Sequence, residues 1–384
     1  MFHKMPFILI AIILAIILLD PVIPFELKQV LYSISLSIKA LIVLLLPVII
    51  FGLLFNTAVT LSRGATRMIG TILIFVCCSN FTATFLSHYV GMLAYNLDLA
   101  MITPQETSGL TPLWLLELPK LIANDKAMFL GIIVGIIASK ITPQKSMLLS
   151  KKIDYFIGKV LAVVVLLIPF FVAGFVVKLQ YDGVMSVIMK DYTFIFAIIA
   201  LAQYSYILLA YFLLNNLKTA GFLNNIKNML PAAISGFSTM SSAASMPLTI
   251  IGAENNTENK DIARAVIPAT VNIHLIGDCI AIPIFAYAVL KSFGMEEPSL
   301  LNYLIFTFYF VMAKFSVAAV PGGGIIVMLP ILESCLGFNA EMMTLITALY
   351  VLFDPVTTCA NVLGNGAFAK MIDRYTTNFR PITA

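Results

Sequence analysis

Residues 235–247 read Ser235-Gly236-Phe237-Ser238-Thr239-Met240-Ser241-Ser242-Ala243-Ala244-Ser245-Met246-Pro247. They are small, polar and flexible, in a chain that is otherwise largely apolar. Six of the first eleven carry a hydroxyl. The 384 residues are 60% hydrophobic and 11% charged, with a mean hydropathy of +1.00. A soluble domain carries roughly 25% charged residues. The chain therefore reads as a polytopic membrane protein. Hydrocarbon gives a polar stretch no partners, so protein or a water-filled cavity must surround it. We read the stretch as half of a substrate site at mid-membrane depth.

A membrane span needs about 20 apolar residues. Working outward, candidate spans cover 7–24, 31–61, 68–95, a short 127–141, 153–179 and 194–217. Pro169 is expected to bend the fifth. Residues 1–25 have a basic start and a long apolar run but no A-x-A-type cleavage site, which favours an uncleaved first helix over a signal peptide. Residues 96–125, with Pro104, Pro112 and Pro119, read as an external loop. The net charge of +4 forms no patch for nucleic acid. The basic residues instead report topology. With the N-terminus inside, Arg63, Arg67, the run Lys140, Lys145, Lys151, Lys152, and then Lys218 and Lys227 face the cytoplasm. Asp98, Glu106, Glu117, Glu296 and Glu297 lie opposite, and Lys370, Arg374 and Arg380 place the C-terminus inside too. Cys77, Cys78, Cys279, Cys335 and Cys359 make no disulfide framework or CxxC motif and read as small buried residues.

After Leu217 the pattern changes. Two apolar segments are broken in the middle: 222–252 by the serine-rich stretch and Pro247, and 301–338 by Ala318-Ala319-Val320-Pro321-Gly322-Gly323-Gly324. Proline removes a donor and glycine weakens a helix, so each segment is expected to enter the membrane, turn and leave on the same side. Each precedes an apolar helix with polar groups, at 262–290 and 342–371. Interrupted segments in corresponding positions of two halves point to a transporter binding site.

These residues resemble the dicarboxylate/amino acid:cation symporter family, the homologues of glutamate transporters and neutral amino acid exchangers. The likeness covers nearly the whole chain, with its specificity in 222–374. Ser241-Ser242-Ala243 with Met246-Pro247-Leu248-Thr249 resembles the tip of the first re-entrant hairpin. Val320-Pro321-Gly322-Gly323-Gly324 resembles the tip of the second. Ile267-Pro268 with Gly277 resembles the seventh helix with its unwound centre. Asp354, Thr358, Asn361, Val362 and Gly364 resemble the substrate-binding last helix. The resemblance implies an all-α polytopic membrane protein of eight transmembrane helices plus two re-entrant helical hairpins, glutamate-transporter-like. It implies a homotrimer in the cell membrane. A trimerisation scaffold would span 1–67 and 97–190. A transport domain of 68–96, 191–221 and the core 222–374 would move as an elevator, with 375–384 a cytoplasmic tail. No cofactor is implied beyond a coupling ion, sodium or proton.

Carried over residue by residue, the resemblance implies a substrate site of Ser241, Ser242, Ala243, Val320, Pro321, Gly322, Gly323, Asp354, Thr357, Thr358 and Asn361. Asp354, a carboxylate in an apolar run, would take an α-amino group. Asn361 lies seven residues on, on the same helix face, and would meet an α-carboxylate with Ser242 and the tip amides. Acidic-substrate members place an arginine clamp where this chain has Thr357, or on the first hairpin where it has Met240. Neither arginine is present, so a small neutral amino acid fits better than a dicarboxylate, unless Lys314 supplies the clamp.

The ion positions differ as well. His274-Leu275-Ile276-Gly277-Asp278 stands where the family carries Asn-x-Asp-Gly-Thr, with Ile276 at the aspartate position and Asn365 at a later one. His274, Asp278 and Lys314, with Asn361, Asn365 and Ser79, form the candidate ion-coupling set, and no metal site is assigned. A continuous helix would put His274 and Asp278 on one face, and unwinding near Gly277 would break that; a lysine ammonium can take the place of an ion. Two readings stay open: coupling to protons or uncoupled exchange, and a fixed buried salt-bridge network. Asn80, Thr82 and Thr84 are weaker candidates. Lys39 is expected to snorkel to an interface, and His88 to sit near a helix end without a role. An intramembrane serine hydrolase lacks a nucleophile signature, and two gating hairpins favour alternating access over a channel.

Overall fold

The computed structural model describes residues 5–63, 67–97, 110–119, 122, 124–183, 185–317 and 322–378. Every regular element among them is helical, as expected where each backbone group must be satisfied within its own segment. In chain order these are α1 (Met5–Leu19), α2 (Phe25–Arg63), α3 (Arg67–Tyr95), α4 (Asn124–Ile141), α5 (Pro143–Tyr181) and α6 (Met185–Leu214). There follow α7 (Thr219–Thr239), α8 (Ser242–Glu254), α9 (Lys260–Thr270), α10 (Ile276–Ser292), α11 (Leu300–Lys314), α12 (Gly323–Leu336) and α13 (Ala340–Asn378). Among the described residues, the stretches Gly70–Tyr95, Tyr192–Leu214 and Glu341–Thr376 are long and apolar enough to cross a membrane. The fifth helix begins ten residues before the expected span, so Lys145, Lys151 and Lys152 belong to it and not to a loop. Pro143 opens it, because proline at the first helical position has no amide to lose.

Two packing groups stand out. In one, α2 lies against α4 and α5. Side chains at Gly131 or Gly135 would collide with the Phe51 or Phe55 carbonyl, so small residues set this close approach. In the other, α10 is the centre, with Ile276–Leu290 buried throughout and α3, α6 and α13 around it. The α7–α8 pair and α9 pack on α13. The contacts between the groups are sparse. One is Lys39, whose Nζ on α2 donates to Thr344 Oγ1 on α13 at 2.8 Å. Lys39 thus reaches a hydroxyl near the start of the facing helix α13.

One end of the second group is closed by a polar network. Lys370 Nζ donates to Asn215 Oδ1 (3.0 Å) and Asn225 Oδ1 (2.8 Å). Asp373 accepts from the amides of Glu258 (2.7 Å) and Asn259 (3.2 Å).

Three discontinuities position the site. The α7–α8 pair is antiparallel, tied by Asn225 Nδ2 to Asn256 Oδ1 (2.6 Å) far from the turn and by Ser245 Oγ to Ser235 Oγ (3.1 Å) near it. The α11–α12 pair is joined through residues 315–322; Val320 and Pro321, both expected at the site, fall outside the described residues. Between α9 and α10 the helix is interrupted over 271–275. The break lies just before Gly277, which sits in the first turn of α10. Side-chain amides replace the lost helical bonds: Asn80 Nδ2 donates to the Ile273 carbonyl (2.7 Å) and Asn365 Nδ2 to the His274 carbonyl (3.2 Å).

Candidate substrate and ion site

The glycines set the register of α7 on α13. Gly366 faces Met229 and Tyr211, while Gly236 faces the Thr358 carbonyl and Val362. The helices are thus antiparallel, and the α7–α8 turn comes level with Asp354. From the other side, the Gly322 amide donates to Asp354 Oδ2 at 2.7 Å. The second turn therefore holds a carboxylate in the middle of α13, and the register of α7 brings the first turn level with it.

The first tip is largely self-satisfied. Met240 closes α7 in the left-handed region (φ 52°, ψ 29°), with its amide on the Gly236 carbonyl at 2.9 Å. Ser241 is the N-cap of α8, its Oγ accepting from the Ala244 amide at 3.2 Å. Thr239 Oγ1 accepts from the Ser241 amide at 3.2 Å. Of the three candidates here, Ser241 is used as a cap, Ala243 is exposed, and Ser242 is buried.

Asp354 is buried and accepts a second bond from Thr358 Oγ1 at 2.9 Å. Thr357 faces elsewhere: Gln203 Nε2 of α6 lies 3.4 Å from its hydroxyl and donates to the Gly277 carbonyl at 2.9 Å. Asn361 spans the gap to α10, its Oδ1 accepting from the Gly277 amide (2.8 Å) and its Nδ2 donating to Asp278 Oδ1 (3.1 Å). Asp278 also accepts from the Tyr350 hydroxyl (2.9 Å) and pairs with Lys314 Nζ through Oδ2 (2.9 Å). Gly323, the first residue of α12, is buried.

His274 is not part of this cluster. The break before α10 turns it away from Asp278, the outcome that unwinding near Gly277 brings. Its Nε2 lies 2.9 Å from Ser79 Oγ of α3, and its ring lies 4.3 Å from that of Phe368. Its Nδ1 is buried without a hydrogen-bond partner. With Ser79, Tyr206, Ile276 and Phe368 it lines a cavity of about 100 Å³. Asn365 sits beside it, its Oδ1 accepting from Thr270 Oγ1 at 3.0 Å. Thr82 bonds back to its own helix at Cys78.

Gln203 and Tyr350 are site residues that sequence reasoning missed. The usable signal was an amide inside an apolar span for Gln203, and for Tyr350 a hydroxyl one turn before Asp354. His88 is likewise not at a helix end. It is buried within α3, with Nδ1 2.5 Å from the Tyr287 hydroxyl.

The profile of the family described as "Sodium:dicarboxylate symporter family" matches residues 5–375. The chain belongs to that family. Its members are membrane transporters and not enzymes, and this chain is a multi-pass membrane protein of that kind. Among its relatives, excitatory amino acid transporter 1 of Mus musculus is 28% identical over 211 residues, covering 54% of this chain and 37% of the relative. Excitatory amino acid transporter 3 of the same species is 29% identical over 147 residues, covering 38% and 28%. An excitatory amino acid transporter of Onchocerca volvulus is 26% identical over 151 residues, covering 39% and 30%. The matches thus span well under two thirds of these relatives' lengths.

The family description names sodium, but the donors at Asp278 do not fit one. Its carboxylate is already paired with an ammonium. The Oδ1 atoms of Asn361 and Asn365 already accept from Gly277 and Thr270. The Ile276 side chain offers no oxygen ligand.

Proposed function

We propose that this chain transports a small neutral amino acid by elevator-type alternating access. The reading rests on one observation above the others: Asp354 lies where the two interrupted hairpins meet, holding the amide of the second tip. An incoming ammonium group would compete for that carboxylate and release the tip, and Asn361 and Ser242 stand on α13 and the first tip to meet the α-carboxylate. Lys314, the remaining candidate for clamping a second carboxylate, is committed to Asp278. This supports a neutral substrate over a dicarboxylic one. The family description and the relatives' names favour the second reading, a sodium-coupled symporter of glutamate, aspartate or another dicarboxylate with altered ion sites.

The division of labour follows the packing. The α2–α4–α5 group serves as the scaffold of a homotrimer, and the group around α10 and α13 carries the substrate between eight spans and two re-entrant hairpins. The protein resides in the cell membrane with both termini cytoplasmic. Coupling is to protons instead of sodium, with His274 as the candidate proton acceptor. Its Nδ1 is unpartnered, and a cavity lies against it.

The test is uptake of labelled alanine, serine, glutamate and aspartate into proteoliposomes, with sodium and pH gradients imposed separately. Uptake of a neutral amino acid driven by an inward proton gradient is the expected result. Uptake of glutamate or aspartate alone, driven by sodium alone, would replace it with the second reading.

A further inference from the structure

Lys314 closes α11 and is fully buried, at 0% exposure. Its Nζ lies 2.9 Å from Asp278 Oδ2 and 4.6 Å from the centre of the Phe310 ring. Asp278 lies in the first turn of α10. The cation thus sits at a helix C-terminus and the anion at a helix N-terminus, each on the favourable end of its helix dipole. Tyr350 and Asn361 complete the carboxylate's partners through Oδ1. The other arm of the same hairpin also ends here, because a Cβ on Gly324 of α12 would collide with Asp278 Oδ2 and the Tyr350 hydroxyl. Both arms of the second hairpin therefore close on one buried carboxylate, one by ion pair and one by backbone contact.

A buried carboxylate requires a cation or a proton. In a family described by its sodium symport, this chain supplies that cation covalently. A free sodium ion at Asp278 would be repelled by the ammonium group already on it. We infer that Lys314 is a resident cation that holds the second hairpin against α10, so that this hairpin closes without a soluble ion at Asp278. The inference rests on the reading of α11–α12 as the moving gate. Truncating Lys314 leaves Asp278, the Tyr350 hydroxyl and the carbonyls ending α11, an oxygen set of the kind hard cations prefer.

The experiment compares purified wild-type protein, K314A and the D278N/K314A double variant in NaCl and in choline chloride at equal ionic strength. Thermal melting and hydrogen exchange of the amides at 323–327 are the readouts. Wild type is expected to melt alike in both salts. K314A melts lower in choline and regains stability saturably with sodium, by mass action. Its 323–327 amides exchange about tenfold faster in choline than in sodium, as a larger open population requires. The double variant, with no buried charge, folds and ignores the choice of salt. A saturable sodium-specific rise in wild type overturns the inference, as does a K314A protein indifferent to salt. So does K314A misfolding in both salts while the double variant folds. None of these readouts needs substrate. A protein that moves no amino acid yet shows the K314A sodium response would refute the transport reading alone; the reverse would refute this one alone.

Discussion

The two helix-turn-helix tips that meet at Asp354 are built on opposite principles. The α7–α8 turn is rich in hydroxyls and spends them on itself: Ser241 caps α8, Thr239 holds the Ser241 amide, and Ser245 reaches back to Ser235. The α11–α12 turn is rich in glycine, and its one hydroxyl, on Ser316, is buried with no hydrogen-bond partner among the described residues. Its Gly322 amide goes to Asp354 of α13, Gly324 packs on Asp278 of α10, and Lys314 pairs with Asp278. A tip that satisfies its own backbone stays formed whatever its neighbours do. A tip whose partners lie on other helices can be released when a ligand takes those partners. On the proposed reading, the second hairpin is the element a substrate would move and the first is a wall.

The largest effect should follow from removing the partner on which the second tip depends. D354N should lower affinity for a neutral amino acid by roughly 2–5 kcal/mol, upwards of about 30-fold in Kd, by titration calorimetry. Unchanged affinity would break the comparison. G324A forces a Cβ onto Asp278 and Tyr350 and should cost about 1–3 kcal/mol of thermal stability, with exchange rising in α12 and not in α8. The matched test on the first tip is S241A, which removes one local cap and should cost about 1 kcal/mol, with exchange rising in α8 alone. S238A is the control. Its half-buried hydroxyl bonds back to the Ile234 carbonyl of its own helix, and melting should shift by no more than about 0.5 kcal/mol.

Much of this arrangement is legible in the sequence. The serine-rich stretch and the glycine run each fall at a turn between paired helices, and Asp354 and Asn361 share a face of α13 as their spacing required. The pairings were not legible. Gln203 and Tyr350 looked like part of an apolar background, because their partners lie 74 and 72 residues away. Lys39 read as an interfacial lysine because nothing nearby in sequence announces Thr344. His274 and Asp278 read as neighbours by helical spacing, yet the break at 271–275 gives one to Ser79 and the other to Lys314.

By itself, then, the sequence determined that the chain is helical and apolar, where its helices are interrupted, and which charged and polar groups lie among the apolar segments. Those features follow from short-range rules: hydrophobic run length, proline and glycine chemistry, and the cost of polar groups in hydrocarbon. The tertiary structure alone decided which buried charge faces which. An ion pair such as Lys314–Asp278 joins residues 36 apart on helices whose relative register is set by packing. Periodicity carries no information about rotation across a break.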